Sequence, residues 1–398
     1  MTLFNKLDLH ENADFLNEMK ALRRDIHKHP ETAFEETRTA DIVARELEAA
    51  GIEISRGLAE TGVVGILHGN RPGSRAIGLR ADMDALFIQE ENEFSHKSVH
   101  DGKMHACGHD GHTAMLLGAA KQLAANPDFA GTVHFIFQPA EESEGGARVM
   151  IEEGLFQQYP CDAVYGMHNM PGFRIGQFAI RPGPMMAAGD TWQVAFVGTG
   201  GHGAAPHKAT DSTMAAGAFI VAVPTIVGRN VPVDEAAVIS IGHIAGGEYN
   251  SPNIIPSQVL VRGTARSYTP EVRDLIEKRL QEISEFSAAT HNCTAEFKFI
   301  RRYPPLNNWE EQTQIAAAAA VKTVGAENVD PKTRPIGGSE DFAFMLEQIP
   351  GAYIMMGNGD DEKSEFVHNS RYDFNDDSLP YGIAYWINLV KTELGSGK

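Results

Sequence analysis

Residues 104–112 concentrate the side chains of this chain that are best suited to chemistry. They include three histidines, one aspartate and one cysteine, set between small residues that leave the backbone accessible. Imidazole and thiolate are the preferred ligands of zinc-like divalent ions. Such a cluster adds little to folding, so the segment indicates a metal site. The Cys-x-His spacing at Cys107 and His109 is a weak motif alone, and further ligands must come from elsewhere.

Three other motifs place possible ligands where apolar runs end. They carry Glu141 with Glu142, then His168, then His368. Two adjacent carboxylates repel each other unless a cation shares their site, although a solvated acidic loop is the alternative for this pair. Taken together with the Cys-x-His pair, these motifs supply enough nitrogen, oxygen and sulfur donors for two metal ions bridged by a shared ligand.

The elements needed to position these groups follow from hydrophobic periodicity. Helices are predicted at 14–28, 37–50 and 113–125, and buried strands at 63–67, 76–80, 132–137, 165–168 and 366–369. Strands that alternate with helices predict an α/β domain with a mixed, largely parallel sheet flanked by helices. Ligand sites assemble at the carboxyl ends of strands in such sheets, so the four motifs are expected to meet there.

The pattern changes near residue 187. Strands are predicted at 191–197, 237–244, 259–265 and 295–300, and helices at 212–227 and 270–290. This β-α-β-β-α-β order is that of a small ferredoxin-like α+β domain. The α/β character resumes at 316–324, 354–357 and 379–393. We therefore predict a catalytic domain built from residues 1–186 and 304–398, with residues 187–303 inserted between its two parts.

Bulk properties limit the classes of partner. The 398 residues favour two domains. A formal net charge of −19 argues against a nucleic-acid partner, since a phosphate-binding surface needs Lys and Arg in excess. We find no secretory signal and no apolar stretch long enough to cross a bilayer, so no membrane partner is expected. Cysteines 107, 161 and 293 are too few and too far apart for a disulfide framework, and the cytoplasm is the expected compartment.

The motifs resemble those of a known family. They read LRADMDAL at 79–86, CGHDGHT at 107–113, PAEE at 139–142 and GGSEDF at 337–342, with RRDIH at 23–27, HPE at 29–31 and GGHGAAPH at 200–207. The chain resembles the hippurate hydrolase and indole-acetyl-amino-acid hydrolase family. That family is the amidohydrolase branch of the clan that contains carboxypeptidase G and succinyl-diaminopimelate desuccinylase. The motifs occur in order and cover nearly the whole chain.

The resemblance implies a two-metal site. Its five ligands would be Cys107, His109, Glu142, His168 and His368, with the Cys107 thiolate as the bridge. Glu141 would be the general base, because a glutamate already bound to metal is too weak a base to take the proton. A bridging thiolate favours zinc, but manganese, cobalt and nickel suit related sites.

The resemblance also implies roles for residues outside the ligand set. The inserted domain would act as a lid and dimerisation surface, and His202 would reach the partner subunit's site and stabilise the oxyanion. Asn253 and Arg266 would hold the substrate carboxylate, although an ordinary exposed strand position is an equal alternative for Arg266. Gly338 would shape a loop near the substrate, and Asp84 would support the ligands from behind.

One position departs from the clan pattern. Many clan members carry a metal-binding histidine where this chain has Asp82. The resemblance implies that Cys107 and His168 supply the ligation instead. His105 and His112 flank the cysteine motif, and we expect them to orient ligands rather than bind metal.

The predicted function is a metal-dependent amidohydrolase. It would cleave hippurate-like N-acyl amino acids to a carboxylic acid and a free amino acid, and would form a homodimer or higher homo-oligomer through the inserted domain. A dipeptidase and a deacylase dedicated to one biosynthetic intermediate remain alternatives of the same chemistry. A non-catalytic ligand-binding protein with the same fold is the alternative from another class.

Overall fold

The computed structural model describes residues 12–142, 144–360 and 365–395. Contacts divide the chain into two compact units. Unit 1 comprises Met1–Met185, Asn307–Arg334 and Asp341–Lys398, and unit 2 comprises Met186–Leu306 and Pro335–Glu340. The short segment Pro335–Glu340 therefore groups with unit 2, whereas the sequence prediction assigned it to the first domain. The predicted domain boundaries otherwise stay a prediction.

Unit 1 is built on an eight-stranded mixed sheet. Its strands are β1 (Glu53–Leu58), β2 (Gly62–His68), β3 (Arg71–Asp82), β4 (Ala130–Gln138), β5 (Ala163–Met170), β6 (Phe178–Ala179), β15 (Val329–Asp330) and β16 (Gly351–Gly357). Their order is β1-β2-β4-β3-β5-β16-β6-β15. The central strands β4, β3, β5 and β16 run parallel, and β1, β2 and β6 pair antiparallel with their inner neighbours.

Helices cover this sheet. They are α1 (Ala13–Lys28), α2 (Thr37–Ala49), α3 (His109–Ala125), α4 (Gly146–Glu152), α5 (Leu155–Gln158), α9 (Glu310–Val324), α10 (Ala343–Gln348) and α11 (Leu379–Glu393), with 3-10 turns at Ala326–Asn328 and Asp376–Ser378. Because α3 is buried along nearly its whole length, it carries small residues where neighbours approach. A Cβ at Gly111 would lie 2.3 Å from the Phe374 ring. The close approach of the Phe374 ring to Gly111 therefore fixes the position of α3 against the core.

Unit 2 is a smaller α+β structure. It contains β8 (Ala188–Val197), β9 (Gly201–His202), β10 (Ala237–Gly246), β11 (Ile254–Ile255), β12 (Gln258–Ser267) and β13 (Thr294–Tyr303), with α6 (Ser212–Ala222), α7 (Pro224–Asn230), α8 (Pro270–Thr290) and a 3-10 turn at Pro206–Lys208. Strands β7 (Gly183–Met186) and β14 (Leu306–Asn308) form a separate pair where the chain enters and leaves the unit.

The four long strands of unit 2 form an antiparallel sheet in the order β10-β12-β8-β13. Alternate β8 residues Trp192, Val194 and Phe196 are buried and pack in one core with Phe219 of α6 and Leu280 of α8. One face of the sheet therefore packs on the helices. The predicted fold class, a largely parallel α/β sheet with an inserted ferredoxin-like domain, is confirmed.

Two local predictions are wrong. Helix α3 begins at His109 rather than residue 113, because Gly108 in the left-handed region (φ 92°) lets the chain turn directly into the helix. Residues 366–369 form a turn instead of a strand, and His368 itself is left-handed (φ 66°). An extended strand cannot accommodate that backbone angle.

One helical segment bears on the membrane prediction. Ser212–Asn230 is long and apolar enough to cross a bilayer by length and composition, so the prediction that no stretch meets that test is wrong. Only 33% of this apolar stretch is buried inside the protein. Met214 and Val221 are 56% and 79% exposed, so this segment presents an apolar face to its surroundings.

Candidate functional site

The cysteine motif enters the site through a tight turn. Gly108 adopts φ 92°, and a Cβ at this position would lie 2.3 Å from Asn169 Nδ2 and 2.5 Å from Tyr372 Oη. Glycine is therefore required by both backbone angle and space. The turn holds Cys107 in the loop and starts α3 at His109, and both residues are buried.

The paired glutamates follow the end of β4 on a strained segment. Ala140 has φ 56°, which is unusual for a residue with a side chain. Its carbonyl accepts a hydrogen bond from the Gly146 amide at 3.0 Å. The Glu142 amide donates to Asp84 Oδ2 at 2.9 Å. Backbone hydrogen bonds thus fix the conformation in which Glu141 and Glu142 leave the strand.

The two remaining histidines come from different kinds of structure. His168 lies near the end of β5, and its Nδ1 donates to the Asn169 carbonyl at 2.6 Å. That bond leaves Nε2 facing Cys107 Sγ at 3.4 Å. His368 lies in the turn after the undescribed residues 361–364, and its amide donates to the Ala106 carbonyl at 2.7 Å. The backbone of His368 is therefore attached directly to the cysteine loop.

The structure brings the five predicted ligands together. The donor atoms of Cys107, His109 and His168 lie within 4.8 Å of one another, as do those of Cys107, Glu142 and His368. Cys107 is common to both sets. A third set joins His109 with Glu141 and Glu142. The arrangement can hold two cations that share the Cys107 sulfur.

A competing set contains Asp82, His109 and His112. His112 Nδ1 lies 2.6 Å from Asp82 Oδ1, and its Nε2 accepts from the Asn169 amide at 3.0 Å. Both of its ring nitrogens therefore have protein partners, as an orienting residue requires. His105 is buried, and neither ring nitrogen has a hydrogen-bond partner among the residues that the structure describes.

The electrostatics of the site favour a bound cation. Burial raises the pKa of the Cys107 thiol well above its ordinary value, and Glu142 and Glu141 raise it further. Burial lowers the pKa of His109, but Asp82, Asp84 and Glu142 outweigh this effect and raise that pKa to about 10. Burial and His112 hold the pKa of His168 well below its ordinary value, which keeps it neutral. Positive charge is needed here before a thiolate can form.

The donor atoms themselves fit a metal ion. Within the described part of the chain, His109 Nε2 is buried without a hydrogen-bond partner. Asp84 Oδ1 lies 3.1 Å from His109 Nδ1, so Nδ1 keeps its proton toward the aspartate, and a cation bound at Nε2 would take the place of the second ring proton. Glu142 Oε1 lies 4.0 Å from His109 Nε2 and 3.1 Å from His368 Nε2. Buried polar atoms rarely stay unpaired, so His109 Nε2 suits ligation, with the Glu142 and His368 donor atoms next to it.

A buried ionic network supports Glu141, and the sequence reasoning did not identify it. The Asp341 amide donates to Glu141 Oε1 at 3.3 Å. The Asp341 carboxylate accepts from Arg80 at 2.9 Å and from Gln138 Nε2 at 2.9 Å. Arg80 also pairs with Asp82 at 2.6 Å. Arg80 and Asp82 lie in the LRAD motif and Asp341 in the GGSEDF motif, and Gln138 directly precedes the PAEE motif.

A second network lies behind His109, at its neighbour Asp110. Arg23 of α1 is fully buried and contacts Asp110 at 3.2 Å and Asp373 at 2.7 Å. His27 Nδ1 lies 3.0 Å from Asp110 Oδ2. The first turn of α3 is therefore attached to the N-terminal helix by charged contacts.

The predicted substrate residues lie in unit 2, in two groups. Ile254 pairs with His202, and the Gly203 amide donates to the Asn253 carbonyl at 2.7 Å, so His202 and Asn253 are neighbours. His202 follows β8 in the chain, and Asn253 precedes β12, whose first residue Gln258 pairs with Val197 at the end of β8. His202 and Asn253 are exposed.

The second group lies at the start of β8. Arg266 pairs with Gly189, and the Gly338 carbonyl accepts from the Ala187 amide at 3.0 Å. Strand β8 has 10 residues, so its two ends lie about 30 Å apart at about 3.3 Å per residue.

Residues 78–392 match the model of peptidase family M20/M25/M40. The chain belongs to peptidase family M20/M25/M40. The family resemblance noted in the sequence is confirmed, and the chain is a hydrolase by family membership.

Relatives are similar along nearly their whole lengths. The chain is 40% identical to hippurate hydrolase of Campylobacter jejuni, covering 96% of this chain and 97% of that protein. It is 37% identical to N-acetylcysteine deacetylase of Bacillus subtilis, covering 93% and 95%. Among solved structures, the YXEP protein of Bacillus subtilis, described as a dinuclear metal-binding peptidase of the M20 family, is 34% identical with a TM-score of 0.83 and coverages of 96% and 99%.

Proposed function

We propose that this M20-family protein is a two-metal amidohydrolase that cleaves N-acyl amino acids into a carboxylic acid and a free amino acid. The observation that carries the proposal is the convergence of two donor sets on one shared sulfur, that of Cys107, with Glu141 beside them. The names of the hippurate hydrolase and N-acetylcysteine deacetylase relatives support the substrate class.

The proposed ligands are Cys107, His109, Glu142, His168 and His368. Bound there, two divalent ions supply Lewis acidity toward a carbonyl oxygen and toward water. Asp84 supports the site by accepting from His109 Nδ1 and from the Glu142 amide. We favour zinc because the shared donor is a thiolate; manganese, cobalt and nickel are the other candidates.

Glu141 is proposed to move the proton. It takes a proton from the attacking water and delivers it to the leaving nitrogen of the amide. Its Oε1 accepts from the Asp341 amide at 3.3 Å, which holds the carboxylate beside the donor sets. Glu141 is buried, so water from bulk solvent competes weakly for this carboxylate.

The role of Glu141 is tested by Glu141→Ala. We expect metal content near that of the wild type and turnover lowered by about 100-fold or more, the usual contribution of a general base. Metal content is measured by atomic emission on the dialysed protein, and turnover by release of free amino acid from hippurate. If Glu141→Ala retained turnover, Glu141 would not be the general base.

The proposed active assembly is a homodimer formed through unit 2. Its sheet ends at β10, whose Val238 and Ile244 are 55% and 56% exposed. The apolar exposed face of α6, with Met214 and Val221, belongs to the same unit. An edge strand and an apolar helix face suit pairing with a second copy. The separation of His202 and Asn253 from Arg266 along β8 supports their acting in the partner's site.

Mixing two inactive variants tests this assembly. His202→Ala and Glu141→Ala should each lose turnover while keeping their metal. A mixed dimer retains one intact site, so equal mixing with exchange should restore about a quarter of wild-type activity, since half of the dimers are mixed. Absence of recovery in a mixture that does exchange subunits, or full activity of a monomeric His202→Ala, would refute the cross-subunit role.

We also propose a cytoplasmic location. All three cysteines are free thiols in the structure, and one of them is a proposed metal ligand. A reducing compartment keeps such thiols available. Fractionation of cells that express the chain tests this location.

A further inference from the structure

Glu36 is a buried carboxylate that the proposed mechanism does not use. It is fully buried, and it precedes α2 at the N-cap position. A carboxylate at that position usually accepts hydrogen bonds from the first turn of its own helix. The Glu36 side chain makes no such bond. Glu31 does this instead, since its carboxylate accepts from the amides of Arg38 and Thr39 at 2.9 and 2.8 Å.

The Glu36 carboxylate is directed toward the glutamate segment. Its Oε1 accepts from the Ala140 amide at 2.9 Å, and its Oε2 accepts from Thr61 Oγ1 at 2.7 Å. Ala140 is the left-handed residue immediately before Glu141. A residue with a side chain keeps that backbone angle only when its surroundings impose it. For Ala140, Glu36 fixes the amide and Gly146 fixes the carbonyl.

A second carboxylate acts on the other side of Glu141. Asp84 accepts from the Glu142 amide at 2.9 Å. The amides on both sides of Glu141 therefore donate to buried carboxylates, Glu36 before it and Asp84 after it. Burial and then the nearby charge of Asp84 raise the pKa of Glu36 to about 7. Keeping two carboxylates this close in the interior costs stability, which favours a functional reason for Glu36.

We infer that Glu36 is a positioning residue for the catalytic pair: by accepting from the Ala140 amide, it holds the left-handed turn that aims Glu141 at the substrate and Glu142 at the metal ions. The catalytic part of this inference rests on the proposed function of Glu141. Glu36 touches neither substrate nor metal donors. Its effect passes through the backbone of Ala140.

Three variants test this role. Glu36→Met keeps the volume but removes the acceptor, whereas Glu36→Gln keeps an acceptor oxygen for the Ala140 amide. Glu35→Met is the matched control, because the neighbouring Glu35 is exposed and pairs with Lys103. We expect Glu36→Met to lower kcat by about tenfold or more with KM changed less than about threefold, as expected for a misplaced catalytic group. The kcat of Glu36→Gln should stay within about threefold of the wild-type value, and the kcat of Glu35→Met should match the wild-type value.

A measurement independent of turnover separates this inference from the proposed function. Hydrogen–deuterium exchange of peptides that cover residues 138–142 should show faster exchange in Glu36→Met and wild-type exchange in Glu36→Gln. If the wild type failed to cleave N-acyl amino acids while these exchange rates behaved as expected, only the proposed function would fall. Unchanged exchange in Glu36→Met, unchanged kcat per metal-loaded molecule, or equal damage by Glu36→Gln would overturn the positioning role.

Discussion

The charge of His27 should make the stability of this protein depend on pH in a defined window. His27 is fully buried in α1, with Nδ1 3.0 Å from Asp110 Oδ2 and Nε2 3.3 Å from Glu90 Oε1. A protonated imidazole donates to both carboxylates at once. Burial lowers the pKa of His27, but Asp110 and Glu90 outweigh burial and raise it to about 9.

The magnitude follows from linkage. A pKa raised from 6.5 to about 9 corresponds to about 3 kcal/mol of folding free energy. This contribution is fully present below pH 6.5, because both the folded and unfolded chains are then protonated. It is lost as pH rises through about 9, since the unfolded chain releases its proton first. The ionisable groups that face His27 are Arg23, Glu90, His96, His105, Asp110 and Asp373.

The assay compares the wild type with His27→Gln at equal metal loading. Urea titrations give the free energy of unfolding of each protein at each pH. The stability advantage of the wild type over His27→Gln should be about 3 kcal/mol smaller near pH 10 than near pH 6. His29→Gln is the control, because it removes a partly exposed ring near the end of the same helix. It should keep the wild-type profile. A difference between wild type and His27→Gln that stays constant over this range would refute the charge argument.

Two other substitutions test the networks around the site. Asp84→Asn should lower metal affinity by about 10- to 100-fold, because His109, a proposed metal ligand, loses its carboxylate acceptor; unchanged affinity in a chelator competition would contradict this. Arg80→Met should destabilise unit 1 by about 3–5 kcal/mol, because it leaves Asp82 and Asp341 as buried charges without their arginine. A free energy of unfolding, from urea titration, within about 1 kcal/mol of the wild-type value would contradict that expectation.

Much of the fold is predictable from the sequence because its elements follow hydrophobic periodicity. The helix predicted at 270–290 is α8, Pro270–Thr290, and the final helix at 379–393 is α11, Leu379–Glu393. Both have a proline at their first turn, which is a readable start signal. The inserted β-α-β-β-α-β order was also readable, since its strands and helices are separated by clear turns.

The backbone at the site was less predictable. Ala140 and His368 are left-handed, and neither residue type announces that angle as glycine does. The strand prediction failed at His368 for this reason, while its predicted role as a metal ligand stays a prediction, with its donor atom close to those of Cys107 and Glu142. Glu36 was missed because a glutamate at the start of a helix reads as a cap. Its real contacts, with Thr61 and Ala140, are far away in sequence.

The proposed function is hydrolysis of the amide of N-acyl amino acids by Glu141 and two metal ions that the converging donors hold. It is tested most directly by stripping the protein of metal, reconstituting it with single metals, and assaying a panel of N-acyl amino acids and dipeptides. We predict about two bound ions per chain, no turnover of the stripped protein, and cleavage of N-acyl amino acids in preference to dipeptides. Turnover that persists without metal, or cleavage of dipeptides alone, would contradict the account.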